Sequence, residues 1–81
     1  MSLKYVIFPG QTGEVVIIFH PAINHSEVAK SFEYEHGKPV SAGMVYRDAN
    51  KNICCHGRSA TLDIGPGKDD EDLITAFLEV Q

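Results

Sequence analysis

Cys54, His56 and Arg58 alternate along the chain, and residues two apart on a β-strand point to the same face. A thiol beside an imidazole and a guanidinium lies near positive charge that favours the thiolate, the form that attacks electrophiles. Catalysis would also need a group to orient the base and donors to hold an oxyanion, and the sequence marks neither. The trio therefore reads as a reactive-thiol face, with no residue assigned a catalytic role. The 4 histidines and 2 cysteines also invite a metal reading, since His20 and His25 flank the entry to a helical stretch and Cys54 and His56 share a strand face. Cys-x-x-Cys and His-x-x-x-His pairs are absent, and the neighbours Cys54 and Cys55 point to opposite faces of a strand. Neither a metal site nor an internal disulfide is expected, and reduced thiols fit a cytoplasmic protein.

Gly65-Pro66-Gly67-Lys68 precedes a helical stretch, yet it lacks the length and the Lys-Ser/Thr ending of a phosphate loop. The acidic run Asp69 to Asp72 that follows would repel phosphate, so these glycines read as turn and cap residues and no cofactor is expected. The run itself suits a helix start, where the macrodipole favours negative charge. Together with Glu14, Asp63 and Glu79 it also offers negative charge to a basic partner.

The elements that must hold these residues follow from periodicity. Leu3 to Phe8 and Glu14 to His20 are rich in β-branched and aromatic residues, and Pro9-Gly10-Gln11-Thr12-Gly13 supplies a turn between them. Asn24 with Glu27 resembles a capping box, and Val28, Ala29 and Phe32 recur at helical spacing from about His25 to Glu35 before Gly37 and Pro39. Val40 to Arg47 and Asn52 to Leu62 form a second hairpin around Asp48-Ala49-Asn50-Lys51. Asp69 opens a helix whose Leu73, Ile74, Phe77 and Leu78 make one apolar stripe. The expected fold is α+β: a ββαββα two-layer sandwich with an antiparallel four-stranded sheet and both helices on one face.

A four-residue loop in the second hairpin would oppose Tyr46 to Ile53, Met44 to Cys55 and Ala42 to Gly57 on the apolar face. Cys54, His56 and Arg58 would then lie on the other face near Val45 and Arg47, with a bulge near Gly57. In the first hairpin Tyr5, Ile7, Val15, Ile17 and Phe19 are assigned to the core face. Val6, Phe8, Val16 and Ile18 on the opposite face are apolar too, and such a patch needs a cover. A second subunit would supply it, so a homodimer through the sheet is expected; the competing arrangement places the second helix on that side.

With 81 residues the chain makes a single domain with one modest core. Its 43% hydrophobic and 22% charged residues are ordinary for a globular protein, and no stretch approaches the roughly 18 apolar residues of a membrane span. The amino terminus does not read as a signal peptide. A net charge of −4 disfavours phosphate backbones and anionic membranes, so nucleic acid and membrane are not expected partners.

The start Lys4-Tyr5-Val6-Ile7-Phe8-Pro9-Gly10, the middle Pro39-Val40-Ser41-Ala42-Gly43 and the acidic terminal helix resemble small proteins without assigned activity encoded by bacterial prophages. That resemblance implies an accessory or host-interaction role and carries no functional residues with it. The leading expectation is a non-enzymatic interaction protein that self-associates. The alternative is a small enzyme or a ligand or metal binder using Cys54, His56 and Arg58.

Overall fold

The computed structural model describes residues 2–10 and 13–79. Strands β1 (Leu3–Phe8) and β2 (Val15–Phe19) are followed by α1 (His25–His36), β3 (Ser41–Arg47), β4 (Ile53–His56) and α2 (Asp70–Glu79). The four strands form one antiparallel sheet in the order β2-β1-β3-β4. The α+β class and the ββαββα order are those the periodicity predicts. Of the first turn, Gln11 and Thr12 lie outside the described residues.

The layering differs from the two-layer expectation, because each face of the sheet has its own helix. Tyr5, Ile7, Val16 and Val45 pack with Ile74 of α2, joined by Ile18, Ile53, Cys55, Leu73, Phe77 and Leu78. On the other face Val6, Phe8 and Ala42 pack with Ala29 of α1, joined by Val15, Ile17, Val28 and Phe32. The cause is β1: Tyr5, Val6, Ile7 and Phe8 are fully buried in succession, so both faces of this central strand need an apolar cover.

Register corrects both hairpin assignments. In the first, Tyr5 faces Ile18 and Ile7 faces Val16, while Val6 faces Ile17 and Phe8 faces Val15. The expected interface set Val6, Phe8, Val16 and Ile18 is thus divided between the two faces. Val6 and Phe8 lie under α1, Val16 and Ile18 lie on the α2 side, and this chain's own helices provide the cover assigned to a second subunit.

In the second hairpin Tyr46 faces Cys54 and Met44 faces His56, one residue from the expected pairing. The loop takes in Asn52: Asp48 Oδ1 accepts from the amides of Asn50 and Asn52 at 2.8 and 2.9 Å, and Lys51 turns left-handed at φ 66°. Because side chains alternate along a strand, that extra residue exchanges the two faces of β4. Gly57, at φ 69°, ends β4 well before Leu62. The segment beyond it closes on itself, with Ser59 N–H donating to Ile64 O at 2.8 Å, and packs Leu62 and Ile64 against the α1 layer.

α1 begins after Asn24, but the capping box is only partial. The Asn24 amide donates to Glu27 Oε1 at 3.4 Å and makes no side-chain cap on the backbone. At the far end Gly37, at φ 75°, donates its N–H to Glu33 O.

Candidate functional site

The thiol face assembles only in part. Cys54 and His56 do share a face of β4, but beside Met44 and Tyr46 rather than Val45 and Arg47. Tyr46 and His56 meet edge to face at 5.5 Å, and His56 Nε2 lies 3.1 Å from Ser2 Oγ. The Tyr46 phenol is held above the ordinary tyrosine range, first by hydrogen bonding with Cys54. Arg58 is not part of this group. It lies beyond the left-handed Gly57 and forms an ion pair with Asp63. The charged group that Cys54 Sγ reaches is the Asp48 carboxylate, at 3.9 Å, in place of the expected guanidinium.

Cys55 points to the α2 face, where burial pushes its thiol up to about 11. The candidate metal ligands are also separated. His20 Nδ1 accepts the Ala22 N–H at 3.0 Å, whereas the buried His25 places Nε2 2.9 Å from Gly43 O. Among the described residues no three His, Cys, Asp or Glu side chains are grouped as a cation would require.

Asp70 holds a position the sequence did not reveal. It is buried, and its carboxylate accepts from Tyr5 Oη at 2.6 Å, Ser41 Oγ at 2.9 Å and the Gly67 amide at 2.7 Å. Burial and the Asp70 bond hold the Tyr5 phenol far above its ordinary range. The available signal was Tyr5 itself, because a buried tyrosine needs a partner for its hydroxyl. The neighbouring Glu71 is engaged as well, accepting the Cys55 N–H at 2.8 Å. The acidic run is therefore half structural: Asp70 ties α2 to β1 and β3, Glu71 ties it to β4, and Asp69 and Asp72 face solvent.

The two sheet edges differ in chemistry. β4 is short, and the Glu71 carboxylate occupies its Cys55 amide, which protects an edge against further pairing. β2 is the uncharged run Val15-Val16-Ile17-Ile18-Phe19, with no comparable cap among the described residues. Since α1 packs chiefly over β1, Val15, Ile17 and Phe19 remain half-buried on that side. On the other side an apolar cleft of about 390 Å³ runs between α2 and the sheet, lined by Leu3, Ile18, Val45, Ile53, Phe77 and Leu78.

Comparison with protein-family models, curated proteins and solved structures found no match to this chain.

Proposed function

We propose that this protein is a non-enzymatic interaction protein that joins protein chains, its own copies included, by adding a strand to its sheet at β2. The observation behind this reading is the contrast between the edges: Glu71 closes β4, whereas β2 offers a charge-free run with no such cap among the described residues. An added antiparallel strand gains main-chain hydrogen bonds, and each apolar cross-strand pair contributes roughly 0.2–1 kcal/mol. Val15, Ile17 and Phe19 supply such pairs on one face and Ile18 on the other. This use of the sheet suits the accessory role implied by the resemblance to prophage proteins. No helix among the described residues is long and apolar enough to cross a membrane.

Two measurements test the proposal together. Sedimentation should give a mass above the 8.9 kDa of one chain at about 100 μM, the level at which an association of roughly 5.5 kcal/mol is half complete. Amide hydrogen exchange in β2 should slow as protein concentration rises. A strict monomer whose β2 amides exchange at one rate, with or without added cell lysate, would defeat the reading.

A further inference from the structure

We infer that the strand added at β2 belongs to a second copy of this chain, antiparallel to the first and related to it by a two-fold axis at Ile17. The inference rests on the strand-addition reading above and names its partner and register. A two-fold axis normal to the sheet keeps each face of one copy continuous with the same face of the other. Side chains alternate with period two, so directly opposed residues must lie an even number apart in sequence, and the axis must pass at a residue.

Only one such residue uses the whole strand. With the axis at Ile17, Val16 opposes Ile18 and Val15 opposes Phe19, so every residue of β2 is paired with an apolar partner. Just outside β2, Glu14 of each copy then opposes His20 of the other. Both side chains are exposed in the single chain. The histidine is already set for this contact: its Nδ1 accepts the Ala22 N–H at 3.0 Å, which leaves the ring proton on Nε2 to donate to a carboxylate. An axis at Val16 would place Glu14 against Ile18. An axis at Ile18 would place His20 against Val16 and bring Pro21, which lacks an N–H, into the ladder.

The half-buried residues support the same arrangement. Ile17, Val15 and Phe19 of the two copies would meet between the two α1 helices. Ile18 would meet Val16 on the α2 side, at the edge of the apolar cleft. A partner of another sequence would have to reproduce both the apolar run and the charges at its ends. A second copy has them by symmetry.

The test places a cysteine at the axis in a chain carrying Cys54→Ser and Cys55→Ser. Ile17→Cys should form a disulfide-linked dimer on mild oxidation, because opposed strand residues lie about 4.5–5.5 Å apart at Cα, within disulfide reach. Val15→Cys should stay unlinked, since its counterpart in the other copy lies roughly four residues, or about 13 Å, along the strand. A second set of variants leaves the packed residues untouched. Glu14→Lys alone and His20→Glu alone should each raise the dissociation constant roughly tenfold, because two facing pairs per dimer are spoiled. The double exchange Glu14→Lys with His20→Glu should restore wild-type association. A wild-type dimer in which Val15→Cys cross-links and Ile17→Cys does not overturns the register and leaves strand addition standing. A monomer whose β2 amides gain protection only with lysate overturns the second copy alone, and a monomer with unprotected β2 amides overturns both.

Discussion

At the scale of single residues, Asp70 is the buried junction between α2 and the sheet. Its carboxylate accepts three hydrogen bonds in a buried position, so Asp70→Ala strands the Tyr5 and Ser41 hydroxyls and the Gly67 amide. The expected loss is roughly 3 kcal/mol in urea unfolding, because buried donors left without partners keep their desolvation cost. Cys55 makes a second prediction, through pH. Its thiol is raised from 9.0 to about 11, chiefly by burial, so the folded protein prefers the neutral form. The unfolded chain ionises first as pH rises. The stability present below pH 9 is therefore lost progressively up to about pH 11. The urea midpoint should fall across that window, and Cys55→Ala should fall less. If Cys55→Ala follows the wild-type curve, the thiol is not responsible.

At the scale of elements, the β3–β4 loop and the α2 start are the informative pieces. Lys51 sits at φ 66°, a left-handed conformation that penalises a side chain. Lys51→Gly should raise stability by about 0.5–1 kcal/mol with the register unchanged, measurable as a higher denaturant midpoint. Glu71 does two jobs, opening α2 and closing the β4 edge through the Cys55 amide. Glu71→Ala should cost about 1 kcal/mol and expose a second edge, so that species larger than a dimer grow in with concentration under sedimentation. Light scattering that shows no such species would mean that β4 is kept from pairing by its shortness alone. These elements were legible to within a residue or two: β1 matches its expected span, and α1 runs one residue further. β4 was not, because Ala60, Leu62 and Ile64 look strand-like, yet Gly57 at φ 69° sends the chain into a closed loop.

At the scale of the whole molecule, the protein is a small sheet with a helix on each side, and β1 is its centre. Phe8 is fully buried against Ala29 and Phe32 of α1. Phe8→Ala should therefore cost roughly 3–5 kcal/mol of monomer stability, much of what a domain of this size has. Circular dichroism melts at low and high concentration separate this from an interface role. The loss should appear equally in both, whereas an interface residue would alter only the concentration dependence.

By itself the sequence determined the class and order of the elements and the apolar character of both faces of the first hairpin. Those properties are local, set by the period of apolar residues and by turn chemistry. Tertiary structure alone decided which face each residue takes. A β3–β4 loop longer by one residue, Asn52, moved Cys54 and His56 to the side of Met44 and Tyr46, and the pairing of β1 with β2 divided Val6 and Phe8 from Val16 and Ile18. It also drew Asp70 out of an acidic run and under Tyr5, a partner 65 positions away. Sequence spacing is blind to such contacts, because they depend on strand register and helix placement, where one residue's shift exchanges inside for outside.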